Sequence, residues 1–162
     1  MVHFFNPEKM LELGTCLGIG SAYMAMARQG GELTTLEGCP NLSKLAEENF
    51  KKLHLQNIKI VQGNFDETLD GGGATFEKVD FAFVDGNHQK EPTLNYFQKL
   101  LSKAIDGTVF VFDDIHWSEE MESTWEEIKS HERVKISMDF FRFGVVVFRE
   151  GQKEQQHYTL KY

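Results

Sequence analysis

Residues 11–21 read LELGTCLGIGS, and this stretch decides the fold. Leu11, Glu12 and Leu13 close an apolar run that begins at Lys9, so KMLEL (9–13) reads as a strand. Gly14, Gly18 and Gly20 follow, and a helical pattern then runs from about Gly18 to Arg28. A helix that starts directly behind such a turn offers unpaired N–H groups and a positive dipole end to an anionic ligand. The spacing is not GxGxxG and no GK[ST] follows, which argues against the usual dinucleotide and triphosphate turns. A purely structural turn needs one glycine; three point to a bound ligand.

Outward from the turn, strands and helices alternate. ELTTLE (32–37) reads as a strand and PNLSKLAEENFKKLHL (40–55) as a helix. IKIVQ (58–62), a short helix near 65–69, VDFAFVD (79–85) and a helix over 91–105 continue the pattern. TVFVFDD (108–114) and a helix over 118–131 complete it, and such alternation predicts a doubly wound α/β domain with a mostly parallel sheet. VKISM (134–138) and FFRFGVVVFRE (140–150) stand too close for a helical crossover and must form an antiparallel hairpin. Residues 1–150 are expected to form the single domain, and GQKEQQHYTLKY (151–162) a polar tail that frays. The three glycines of Asp70–Gly73 read as a flexible surface turn. No helix is expected ahead of the first strand.

The chain has 162 residues, 41% hydrophobic and 26% charged, which suits one buried core. Its formal charge of −8 repels phosphate backbones and anionic lipid, so neither nucleic acid nor membrane is an expected partner. No apolar run approaches the roughly 20 residues needed to span a bilayer, and MVHFFNPEKM is not built like a signal peptide. Cys16 and Cys39 are the only cysteines and make no disulfide framework, so both are expected as reduced thiols; Cys16, inside the glycine turn, reads as a small buried side chain rather than a reactive thiol. A cytoplasmic protein with a small-molecule ligand is the expectation.

Two groups of residues carry chemistry. Glu37 ends the second strand, where a carboxylate can accept both hydroxyls of a ribose or stand simply solvated. Asp85 ends the fourth strand and Asp113 and Asp114 the fifth, and neighbouring carboxylates repel one another unless a hard divalent ion such as Mg²⁺ neutralises them. Without metal, Asp114 would cap the following helix and Asp113 would rest on backbone N–H groups. His88 and His116 lie on the same two loops, and an imidazole can take a proton from a hydroxyl near neutral pH. Phe65 and Trp117 could wall an aromatic group or serve as packing.

In this order LELGTCLGIG, TLEG, FAFVDGNHQKE and GTVFVFDDIHW resemble the class I S-adenosylmethionine-dependent methyltransferases, in the metal-dependent O-methyltransferase branch related to catechol and macrolide-sugar O-methyltransferases. The resemblance covers nearly the whole chain. It implies a Rossmann-like seven-stranded sheet of order 3-2-1-4-5-7-6 with strand 7 antiparallel. It places Glu12, Gly14 and Gly18 at the methionine end of S-adenosylmethionine, Glu37 at the ribose, and Asn64 and Phe65 at the adenine. Thr15, Ser21, Gly38 and Asp85 join the cofactor set. Asp85, Asp113 and Asp114 match the divalent-metal positions, Asp114 replacing an asparagine of the catechol enzymes, and His88 stands where those carry a catalytic lysine. The family's N-terminal lid helices have no counterpart ahead of Lys9, and an edge left bare by them would favour a homodimer. The implied activity is O-methylation of a small-molecule hydroxyl. A nicotinamide-dependent oxidoreductase would share the turn and Glu37 while leaving the acidic strand ends unexplained. A non-catalytic module of the same fold would bind S-adenosylmethionine, or nothing, without methyl transfer.

Overall fold

Val79–Val84 (β4) and Ala104–Asp113 (β5) are almost wholly apolar over their paired lengths, as strands buried on both faces must be. A computed structural model, which describes residues 1–71 and 77–160, puts them at the centre of one sheet. Lys9–Leu13 (β1), Glu32–Glu37 (β2) and Ile58–Gln62 (β3) lie to one side, all parallel. Val134–Asp139 (β6) and Phe143–Phe148 (β7) lie to the other, with β7 antiparallel to both β5 and β6. The expected hairpin is therefore present.

The sheet has eight strands, in the order β3-β2-β1-β4-β5-β7-β6-β8, rather than seven. The extra strand, Gln156–Thr159 (β8), pairs in parallel with β6 and overturns the expectation of a fraying tail. Its four side chains are all exposed, so no alternation of apolar residues announces it. Local polar bonds hold it instead: Gln155 Nε2 donates to the carbonyls of His131 and Val134, Ser137 Oγ bonds His157 Nδ1 at 2.7 Å, and the Leu160 N–H donates to Asp139 O.

A second correction lies at the start. Val2–Phe5 (α1) forms one helical turn, ended by a left-handed Asn6 (φ 51) and Pro7, with Val2 buried. One turn is too short to show a helical period. The remaining helices fall near where the pattern put them, Ile19–Ala27 (α2), Pro40–Lys52 (α3), Phe65–Leu69 (α4), Lys90–Leu101 (α5) and Glu119–Ser130 (α6), although α5 stops short of the expected 105 because Ala104 already pairs with Val79 in β5. The glycine turn expected at Asp70–Gly73 lies partly outside the described residues, since these omit Gly72 and Gly73.

The two faces of the sheet are covered unequally. Tyr96, Phe97, Leu100, Trp125 and Ile128 of α5 and α6 seal one face over Leu11, Leu13, Phe110 and Phe112. The other face carries Met10, Phe81, Val109, Val111, Val145 and Val147, packed by Val2 and Met24, with Phe83, Met138 and Phe143 only partly buried. Among the described residues no helix is long and apolar enough to cross a membrane.

Candidate active site

The register of β1 against β4 builds the site. Leu13 pairs with Val84, and the Asp85 N–H donates to Leu13 O at 2.9 Å, which brings the loops after the two strands together. Gly14 adopts φ +103, and a Cβ there would lie 1.9 Å from the Asp85 carbonyl oxygen. The N–H groups of Gly14 and Thr15 both donate to Leu36 O, tying the turn to β2 as well. Gly18 caps α2 at φ +78 against the ring of Phe50, which would meet a Cβ at 2.5 Å. Each glycine thus answers a steric demand.

Glu12 is 1% exposed. Its Oε2 accepts from Ser21 Oγ and from Thr35 Oγ1, the latter at 2.6 Å. Thr35 has spent its only proton on Glu12, so Thr15 must donate to Thr35 across their 2.5 Å contact. Glu12, Thr15 and Ser21, all expected to hold the cofactor, are thus a buried network that fixes the turn from behind. Burial pushes the Glu12 carboxyl up to about 7, the hydroxyls of Ser21 and Thr35 working against it. Thr35 was missed by the reading of the sequence; its inward position in the alternation of ELTTLE was the available signal.

Glu37 stands at the mouth. The Cys16 N–H donates to its Oε2 and the Cys39 N–H to its Oε1, both at 2.8 Å. Each oxygen keeps a lone-pair direction for a further donor. Gly38 follows directly, and Asn64 is engaged in capping α4, its Oδ1 accepting from the Asp66 N–H. The Phe65 ring packs edge-on to Tyr96 at 5.7 Å and covers Gly86.

At the other wall, Asn87 and His88 both hold left-handed backbone, φ 68 and 40, while Asn87 Nδ2 donates to the Tyr96 hydroxyl at 2.7 Å. His88 Nε2 lies 3.5 Å from Asp85 Oδ1. Burial, and then the charge of Asp113, hold the Asp85 carboxyl above its ordinary range; burial and Asp114 do the same to Asp113, which the Asp114 backbone N–H partly offsets.

The expected metal set is not assembled. Among the described residues no three His, Cys, Asp or Glu side chains stand together as a group able to hold an ion, although Asp85, Asp113 and Asp114 feel one another's charge. The chain leaves β5 through a left-handed Asp114 (φ 52), which ends the strand alternation there. Nor does Asp114 cap the next helix; Ser118 does, its Oγ accepting from the Met121 N–H.

His116 is not part of the site either. It bridges Asp139 at 2.9 Å and Glu122 at 3.2 Å and stacks on Phe141, bracing the start of α6 against the end of β6. Trp117 is 72% exposed and walls nothing. Beside Asp113 and Gly20 opens a cleft of about 460 Å³ lined mainly by Tyr23, Met24, Phe83 and Phe143, which sequence reading had left unassigned. A larger depression of about 670 Å³, lined by Lys9, Glu32, Lys59 and Asp80, lies at the opposite, amino-terminal edge, away from the glycine turn.

This geometry matches a known family. Residues 11–115, from the glycine turn through the end of β5, match the family model described as a methyltransferase domain. The chain belongs to the methyltransferase domain family. Similar folds include an O-methyltransferase from Bacillus cereus solved with SAH (TM-score 0.77, 22% identity, 90% of this chain and 76% of that one). An O-methyltransferase of tomaymycin synthesis from Streptomyces achromogenes, solved with SAM, is another (0.74, 21%, 91% and 76%). So is a SAH-bound methyltransferase from Podospora anserina (0.78, 16%, 92% and 75%). At these identities the likeness is one of fold. A protein-L-isoaspartate O-methyltransferase from Methanococcus aeolicus is 38% identical over 58 residues, which are 35% of this methyltransferase chain and 27% of that protein.

Proposed function

We propose that the chain binds S-adenosylmethionine in the crevice at the carboxyl ends of β1, β2 and β4 and transfers its methyl group to a hydroxyl of a small molecule. The clamped carboxylate of Glu37 beside the glycine turn carries this reading: two backbone N–H groups fix it, and its free lone pairs suit the two hydroxyls of a ribose. Gly14 and Gly18 let the turn approach the methionine end, and Phe65 lies on the adenine side.

When bound, the sulfonium supplies an electrophilic methyl group. The chain's task is to hold the acceptor oxygen in line with that methyl group and to take its proton. His88 is the group placed to accept that proton, with Asp85 at 3.5 Å to stabilise the charged ring. The acceptor's apolar body would lie in the cleft of Tyr23, Phe83 and Phe143. No step is routed through a metal ion, because its ligands are not brought together. The charge of −8 supports a small acceptor rather than nucleic acid or membrane, and a sequence with only two cysteines, too few for a disulfide framework, fits a cytoplasmic setting.

Calorimetric titration with S-adenosylhomocysteine and, separately, NAD tests the reading. Saturable binding of the first alone is expected, weakened by about ten-fold or more in Glu37→Ala. Binding of NAD instead would replace the methyltransferase reading with an oxidoreductase. With an acceptor in hand, His88→Ala is expected to lose about a hundred-fold or more in kcat.

A further inference from the structure

Cys16 and Cys39 are free and exposed, although free cysteine is among the most buried residue types. They sit on the two loops that wall the ribose side of the crevice, Cys16 in the turn after β1 and Cys39 at the N-cap of α3 after β2. Their backbone N–H groups grip opposite oxygens of one carboxylate, that of Glu37, at 2.8 Å each. Carboxylate oxygens are about 2.2 Å apart, so the two backbone nitrogens lie within about 8 Å and the two Cα atoms within about 11 Å of each other, and the loops must draw together for a bridge to form. A disulfide asks for Cα atoms within about 7 Å. Cys16 also holds left-handed backbone (φ 49), a conformation uncommon outside Gly, Asn and Asp.

We propose that Cys16 and Cys39 form a reversible disulfide under hydrogen peroxide, which closes the ribose side of the cofactor crevice. The thiolate of one attacks a peroxide oxygen; the O–O bond breaks, leaving a sulfenic acid and, after protonation, water. The second thiolate attacks the sulfenic sulfur, the S–O bond breaks, an S–S bond forms and a second water leaves. Two thiols lose two electrons to the peroxide, and a dithiol reductant returns them. The bridge ties together the two loops that Glu37 now holds by hydrogen bonds, and brings its sulfurs beside the carboxylate a ribose would reach. Its effect on the cofactor rests on the function proposed above; its formation does not.

The test treats the full chain with stoichiometric peroxide and reads intact mass and a non-reducing peptide map, then titrates S-adenosylhomocysteine before oxidation, after it, and after dithiothreitol. A monomer lighter by two hydrogens is expected, with the Cys16 and Cys39 peptides joined and affinity down by about ten-fold or more and then restored. Cys16→Ser and Cys39→Ser are expected to bind equally with and without peroxide treatment. Two thiols still open to alkylation, sulfinic acids with no bridge, a disulfide only between copies, or a bridged protein of unchanged affinity would each overturn the proposal. A reduced protein that binds no S-adenosylhomocysteine refutes the cofactor instead, and the mass reading then decides the bridge alone.

Discussion

A side chain on Gly14 would collide with the backbone of Asp85: the added Cβ would stand 1.9 Å from the Asp85 carbonyl oxygen. The collision crosses the junction of β1 and β4, where neither backbone can yield without giving up the Asp85 N–H bond to Leu13 O. The glycine turn and the acidic loop are therefore one mechanical unit.

Gly14→Ala is expected to cost about 3–5 kcal/mol, combining a left-handed backbone with overpacking, and to weaken S-adenosylhomocysteine binding with it. Gly107→Ala is the control. Gly107 has φ +82 with nothing within 4 Å of an added Cβ, so only backbone strain of about 1–2 kcal/mol is expected. Chemical denaturation of both proteins checks this, and equal losses would mean that Asp85 yields easily.

Glu12 sets a pH dependence of stability. Its folded carboxyl titrates at about 7, above the ordinary value of 4.5, so between those values the folded chain holds a proton that the unfolded chain has released. Stability from this group is complete at low pH and falls as pH rises to about 7, by roughly 3 kcal/mol at most. Asp85 shifts in the same direction, so the readout is the difference between the wild type and Glu12→Gln. That difference should move against the wild type between pH 5 and 8; parallel curves would remove Glu12 as the cause.

The His116 brace works over a different range. Burial disfavours the charged ring, but the bonds to Asp139 and Glu122 outweigh it and raise the pKa above 6.5. The stabilisation is therefore whole below pH 6.5 and is lost as pH rises through the folded value. His116→Gln should cost about 1 kcal/mol at pH 5.5, the ring being partly exposed, and less at pH 9. Thermal melts at both values measure it.

Chelation separates cofactor binding from the acidic loops. Among the described residues no three ligating side chains gather around the turn, Glu37 and Phe65, so EDTA is expected to leave S-adenosylhomocysteine affinity within about two-fold. A larger loss would show that Asp85, Asp113 and Asp114 close around an ion after all.

The strands from β1 to β7 were legible because apolar runs and their punctuation fix them, their order only through the family resemblance, and the hairpin because the single residue between 134–138 and 140–150 cannot hold a crossover. Glu37, Gly14 and Gly18 were legible because each sits at a strand-to-helix junction. The partners of His116 were not: Asp139 lies 23 residues away and depends on how β6 pairs with β7. Glu12 shows the same limit, since sequence marks an acid at a strand end but not that Ser21 and Thr35 enclose it. Residues 156–159 were missed because their strand is held by edge hydrogen bonds rather than by an apolar face.

That last strand governs how the molecule behaves in a concentrated solution. Without β8, the open border of the sheet on that side would be VKISM, whose unpaired backbone groups are a template for another chain to add to. With it, the border is four polar residues, too short and too wet to recruit a neighbour. Residues 156–159 thus take up the backbone groups of that border, and trimming them would leave those groups of β6 open to another strand.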